Sequence, residues 1–441
     1  MSARTLSILL RSLTPSRWIH RYPRTFERNV RILPDQIVEL AEKYGTPLWI
    51  YDAASIRKRM ASLHSFDEIR YAQKACSNIH ILKLIREEGG LLDAVSLGEL
   101  HRGIVAGYPA SGDRDPIVFT SDVIDWPTLS LVLKHNVTVN AGSIDMIERV
   151  GKHSRGHRIW LRINPGFGHG HSRKTNTGGD HSKHGIWFER ADEAIRLARE
   201  YDLQIDGLHM HIGSGSDYQH LEQVCEAMVR VVRETGLDIR VISAGGGLPV
   251  PYNESDDELD VEQYFALWDQ ARKEIAHRVG HPVRLEIEPG RFLVAQAGLL
   301  VAEIHSLKNT PSHRFAIIDA GFNDLMRPSF YGSFHRMSVI PREGAALGNR
   351  ALEHVVVAGP LCEAGDVFTQ LSNGELTARQ LPAPSVGDLL CFHDVGAYGA
   401  AMSSNYNSRP LAPEILIDDG RARLIRRRQT MEELIALESD V

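Results

Sequence analysis

EIRYAQKA, residues 68–75, reads as a strand that carries a lysine to its tip. Ile69, Tyr71 and Ala72 make an apolar β-type run, Lys74 follows, and the small polar residues of CSN end it. A solvated lysine does not usually interrupt such a run. The same texture returns in LLDAVS (91–96), PIVFT (116–120), VTVNAG (137–142), RIWLRIN (158–164), IDGLHMHIG (205–213), IRVISAGGG (239–247) and RLEIEPG (284–290). Between these runs lie amphipathic stretches such as LGELHRGIVAG and YQHLEQVCEAMVRVVRETG, with apolar residues at intervals of three and four and a closing Gly. Eight strand and helix repeats predict an α/β fold, a (β/α)8 TIM-like barrel.

The rest of the chain is organised around that barrel. After residue 291 the texture changes to RFAIIDA, HVVVAG and DLLCFHDV with Gly, Pro and Asn punctuation, which predicts a C-terminal all-β domain over 292–441 with a terminal helix in TMEELIALE. Residues 53–291 are the barrel, and 31–52 form a helix and the strand PLWIYD, which leads into the barrel and pairs with the β domain. Residues 1–30 are rich in Arg and Ser with Glu27 as their single acid, a disordered or targeting-like tail. The 441 residues are 43% hydrophobic and 24% charged with a net charge of −6. No apolar run approaches the roughly 18 residues of a membrane span, and the acidic balance disfavours nucleic acid and anionic lipid. Four well-separated cysteines form neither a disulfide framework nor a zinc motif, so a cytoplasmic protein with reduced thiols and no metal is expected.

Active sites of barrels sit at the C-terminal ends of the strands. Those ends carry Lys74, Asp93 with Ser96, Arg162 with Asn164, His211 with Ser214, Gly245 to Gly247, and Glu288 with Arg291. A rim lysine is either an ion-pair partner or a desolvated amine that condenses with a carbonyl. The turns SAGGG and EPGR fall where barrels bind phosphate, because backbone N–H groups there point at an anion and Gly admits it closely. An amine across the mouth from a phosphate site matches pyridoxal 5'-phosphate (PLP), an aldehyde with one phosphate. Glu288 is then either paired to Arg291 or faces the pyridine nitrogen. His211 is either a satisfied core histidine or a flat surface against the ring, with Ser214 donating to the phosphate.

YAQKA, HIGS (211–214), GGG (245–247), EPGR (288–291), GPLCEAGD (359–366) and GAYG (396–399) together resemble the PLP-dependent decarboxylases of the alanine-racemase-like barrel fold. The resemblance runs from about residue 34 to the C-terminus with the motifs in family order, and is strongest to bacterial members that act on meso-diaminopimelate. It implies a covalent bond from Lys74 to the cofactor, His211 on the ring face, and Gly246, Gly247, Gly290, Arg291 and Tyr398 in cofactor contact. It implies that Cys362 donates a proton to the partner's site across a homodimer interface; the other reading of Cys362 is a small buried hydrophobe. Arg327 and Tyr331 of DLMRPSFYG would bind substrate with Arg291, Glu363 and Tyr398. An arginine fork suits a carboxylate and an acid suits an ammonium, so this set fits the amino-acid end of meso-diaminopimelate left untouched by the reaction. The resemblance thus implies a lyase that yields L-lysine and CO2. A decarboxylase of another basic or D-amino acid, or a non-catalytic PLP carrier, are the competing readings; a racemase would have an arginine where Glu288 stands.

Two stretches invite other readings. GFGHGHSRKTNTGGDHSKHG (166–185) holds His169, His171, His181 and His184, but its irregular spacing and Gly content predict an active-site lid rather than a metal loop. His184 stands where related decarboxylases often have an aromatic residue. RARLIRRRQT (421–430) is expected to be a solvated basic edge.

Overall fold

The computed structural model describes residues 32–168, 177–211, 213, 218–253, 255–342 and 350–439. The first thirty residues, Ser214, and His169 and His171 with the rest of 169–176 therefore lie outside the described residues.

All eight runs are strands of one parallel barrel: Glu68–Ala72, Leu91–Ala94, Ile117–Ser121, Thr138–Ala141, Arg158–Asn164, Gln204–His209, Val241–Ser243 and Arg284–Ile287. Closure is complete, since the eighth strand pairs with the first (Glu286 opposite Glu68) and the fourth with the fifth (Val139 opposite Ile159). A short strand not foreseen from sequence, Ile186–Trp187, adds to the fifth. The intervening helices form where the periodicity was clearest. Ser96 accepts from Glu99 N (3.2 Å) at the start of the helix Leu97–Val105, while Glu99 returns a bond to Val95 N (2.8 Å). Ser96 is thus a helix cap rather than a rim group.

Alternation along each strand sends every second residue into the barrel. Val118, Trp160 and Val241 meet there as a small apolar cluster. Beside them Arg70, fully buried, bonds Glu286 Oε2 through Nε (2.9 Å) and Nη2 (2.7 Å) and lies 5.2 Å from the Trp160 ring. Its Nη1 also donates to the carbonyl of Asp115 (2.6 Å). Such a pair is costly to break from one side, because the surviving charge stays buried without its partner. Glu286→Ala is expected to lower stability by about 3 to 5 kcal/mol, measured by denaturant unfolding, whereas the apolar double replacement Arg70→Met, Glu286→Leu recovers much of that loss.

The second sheet has nine strands and gathers both ends of the chain. Leu48–Asp52 runs antiparallel to Gly298–Asn309 and parallel to Glu414–Asp418, so PLWIYD is built into the C-terminal sheet. The helix Pro34–Tyr44 packs Ile37, Leu40 and Ala41 into the cluster that covers this sheet, with Ile50, Val301 and Ile415. The basic run near the C-terminus is an edge strand, Arg421–Arg426, hydrogen-bonded to Glu414–Asp418, and the terminal helix is Met431–Ser439. Among the described residues no helix is long and apolar enough to cross a membrane, and no cluster of His, Cys, Asp and Glu is arranged to hold a metal ion.

Candidate active site

The barrel mouth holds a cleft lined by Ala72, Lys74, His211, Gly246, Gly247, Glu288, Gly290, Arg291 and Tyr398. Each strand delivers its residue just past its last ladder bond. Lys74 sits in the 3-10 turn Gln73–Ala75 that follows the first strand. The sequence left two readings, an ion-pair partner or an amine that condenses with a carbonyl. Lys74 is exposed in the cleft and makes no ion pair among the described residues.

Glu288 follows the eighth strand and is buried. Its carboxylate accepts from His209 Nε2 (2.9 Å) on one oxygen and from Ser243 Oγ (2.7 Å) on the other. Burial alone would raise this carboxyl, but the His209 imidazole and the two hydrogen bonds outweigh it and hold the pKa at about 2. The acid is therefore ionised, and its partner is not Arg291. Neither His209 nor Ser243 was singled out from sequence; the usable signal was alternation, since His209 shares the inward face of its strand with His211. Asp93 and Arg162 are buried in the barrel interior beneath the mouth rather than lining the cleft.

His211 presents a neutral ring. Burial, followed by the cations Arg162 and Lys74, pushes its pKa well below the usual value, and its Nδ1 accepts from Gly246 N (3.2 Å). The glycine turn beside it is a close approach of backbones. A Cβ on Gly247, which has φ +95°, would stand 2.0 Å from the carbonyl oxygen of Gly213, and one on Gly246 would stand 2.4 Å from that of Glu288. No other residue fits either position.

Arg291 and Tyr398 close the remaining side, with the guanidinium 5.5 Å from the Tyr398 ring centre. Arg327 and Tyr331 lie on a short helix, Arg327–Tyr331, next to this wall, and Arg327 joins Arg291 through the hydroxyl of Tyr252. Cys362 and Glu363 are elsewhere. Both are exposed and neither lines the cleft, so Cys362 is not the buried hydrophobe that one reading of the sequence allowed. Their turn is firmly held: buried Asp366 accepts from Leu361 N and Phe322 N, both at 2.8 Å, and Asn407 Oδ1 accepts from Cys362 N at 2.8 Å.

The segment 166–185 is fixed at both described ends by Asn164. Its Oδ1 accepts from Gly166 N (3.1 Å) and Gly179 N (2.9 Å), while its Nδ2 donates to Gly179 O (3.0 Å) and His184 O (3.2 Å). His184 Nδ1 meets Asp122 Oδ2 at 2.7 Å, which shows what this departure from an aromatic residue does: it ties the segment to the loop after the third strand. Asn164 is thus a loop anchor rather than a cleft residue.

These groups fit PLP. An accessible amine suits the aldehyde, a neutral planar imidazole suits the ring face, an ionised carboxylate suits a protonated ring nitrogen, and a glycine turn too tight for any side chain suits the anionic tail. Comparison with known proteins agrees. The family described as "Pyridoxal-dependent decarboxylase, pyridoxal binding domain" matches residues 53–295. The diaminopimelate decarboxylase of Escherichia coli K12 is 56% identical over 413 residues, covering 94% of this chain and 98% of that enzyme. That of Streptomyces coelicolor is 59% identical over 403 residues, covering 91% of each. A crystal structure of diaminopimelate decarboxylase, 57% identical, superposes with a TM-score of 0.90 over 92% of this chain and 96% of that one. The Helicobacter pylori enzyme complexed with L-lysine is 32% identical with a TM-score of 0.78, over 91% of this chain and 99% of its own. Barrel, cleft and kinship lead to one place: the chain belongs to the pyridoxal-dependent decarboxylases and, within them, to the diaminopimelate decarboxylases.

Proposed function

We propose that the cleft removes CO2 from meso-diaminopimelate to give L-lysine, with PLP as its cofactor. The observation that carries the reading is the meeting of Lys74, ionised Glu288 and the Gly246–Gly247 turn at one barrel mouth. Bound there, PLP supplies the electron sink that accepts the pair released when CO2 leaves. Lys74 Nζ holds the cofactor between turnovers. Glu288, fixed on both oxygens, would keep a proton on the ring nitrogen, and the neutral His211 ring would offer a flat surface to the cofactor without adding charge. Gly246, Gly247, Gly290, Arg291 and Tyr398 would receive the cofactor's other edges; Ser214, which the resemblance adds to them, lies outside the described residues.

Substrate choice falls to the far end of the molecule. Arg291 and Arg327 converge on one phenol and make no ion pair among the described residues, which leaves both guanidiniums for a carboxylate. Tyr331 and Glu363 would complete this end, Glu363 by pairing with the ammonium. Cys362 hands its Sγ proton to the carbon that has lost CO2 and recovers one from solvent.

Cys362 and Glu363 are exposed and away from the cleft of their own chain, so the reading requires a homodimer in which this turn of one copy reaches the cleft of the other. The rigid mounting of the turn on Asp366 and Asn407 supports that role, since a proton donor must arrive with fixed geometry. The test is turnover by the PLP-loaded protein with meso-diaminopimelate, L-lysine and L-ornithine, reading CO2 and amine product. Meso-diaminopimelate should be preferred by tenfold or more, the scale of one charge-assisted hydrogen bond of about 1.5 to 3 kcal/mol. Faster turnover of lysine or ornithine would contradict the assignment of Arg327 and Glu363.

A further inference from the structure

We infer that Tyr252 is a specificity-determining residue of this enzyme, reading the carboxylate at the end of the substrate that does not react; the inference rests on the function proposed above. Tyr252 lies on the loop after the seventh barrel strand, five residues beyond Gly247. Its phenolic oxygen accepts from Arg291 Nη1 at 3.3 Å and from Arg327 Nη1 at 3.0 Å. Its ring is 5.8 Å from the first guanidinium and 4.9 Å from the second. One neutral side chain therefore gathers two cations, and Arg327 is only 5% exposed.

Among the described residues neither arginine is paired with a carboxylate. The third group in the cluster, His335, packs edge-on to Tyr252 with ring centres 5.4 Å apart and accepts from Arg327 through Nε2 at 3.2 Å. Burial, then Arg327, pushes the His335 pKa well below its usual value, so it takes a hydrogen bond without adding charge. Two like charges held together without a counter-ion are unfavourable unless a ligand supplies the anion.

The phenol does more than collect the arginines. With both its lone pairs engaged, its O–H remains as a donor, and no acceptor for it is found among the described residues. Two N–H forks and one O–H then converge next to Arg291, which lines the cleft. That is a receptor for a carboxylate with two oxygens, and a bare ammonium offers it nothing. Tyr252 would thus separate substrates and products that keep a terminal carboxylate from diamines that lack one.

Tyr252→Phe keeps the ring and its packing and removes the oxygen. On the PLP-loaded enzyme, KM for meso-diaminopimelate and the calorimetric Kd for L-lysine, which retains the unreacted end, should both rise about tenfold, with kcat within about twofold. Binding of cadaverine, which has no carboxylate, should not change, nor should PLP affinity. Three results would overturn the inference: unchanged L-lysine affinity, equal losses for L-lysine and cadaverine, or weakened PLP binding alone, which would assign the arginines to the phosphate. Because L-lysine and cadaverine are compared in one protein, partial unfolding moves both and is recognised. Arg327→Met separates the premises. If it too leaves L-lysine affinity intact, the proposed carboxylate site is wrong; if it weakens L-lysine while Tyr252→Phe does not, only the role of Tyr252 falls.

Discussion

Replacing Lys74 with Ala is expected to lower turnover of meso-diaminopimelate by at least about 10⁴-fold, the scale seen when a covalent participant is deleted. The fold should not suffer. Lys74 is exposed in a 3-10 turn and pairs with no acid among the described residues, so its loss strands no buried charge, and stability should stay within about 0.5 kcal/mol. Lys74→Arg should be nearly as inactive. A guanidinium keeps the positive charge but stays protonated at any working pH and cannot attack an aldehyde. Charge retention without activity would separate the nucleophilic role from simple electrostatics, and spectra of the variants should show PLP held, if at all, by its tail and ring alone.

Cys362→Ala is expected to slow turnover by about 10² to 10⁴, the usual contribution of a positioned proton donor, while leaving PLP bound. The residue is exposed, so the smaller side chain opens no cavity. Its position on a turn outside its own cleft makes a sharper experiment possible. If each site combines Lys74 of one copy with Cys362 of another, mixing the two inactive variants restores activity. Half of the randomly reassorted dimers are mixed and each contains one intact site of two, so roughly a quarter of wild-type turnover should return under a two-fold symmetric arrangement. Failure to recover activity after demonstrated subunit exchange would mean that Cys362 serves the cleft of its own chain or none.

The barrel was legible because each strand advertises itself twice, once by a β-type apolar run and again by the polar or glycine residue at its C-terminal end. Lys74, His211, Gly246, Gly247, Glu288 and Gly290 could be picked out for that reason, and all line one cleft. What stayed hidden depends on partners distant in the chain. Arg70 and Glu286 are 216 positions apart, and as single letters each looks like an interruption of an apolar strand rather than half of a buried pair. Tyr252 lies in an irregular loop 75 positions from Arg327, with no local pattern to mark it. His209 is the instructive omission. It stands two residues before His211, on the same face, and strict alternation would have sent it inward to Glu288. The setting of Lys74 was hidden for a related reason, because sequence located it at the strand tip but not the 3-10 turn that presents it to the cleft.

Reducing the PLP-loaded enzyme with borohydride and mapping the labelled peptide by mass spectrometry tests the central assignment directly. The pyridoxyl group should be found on Nζ of Lys74, at one equivalent per chain. A label on any other lysine, or none on a protein that still decarboxylates meso-diaminopimelate, would contradict it.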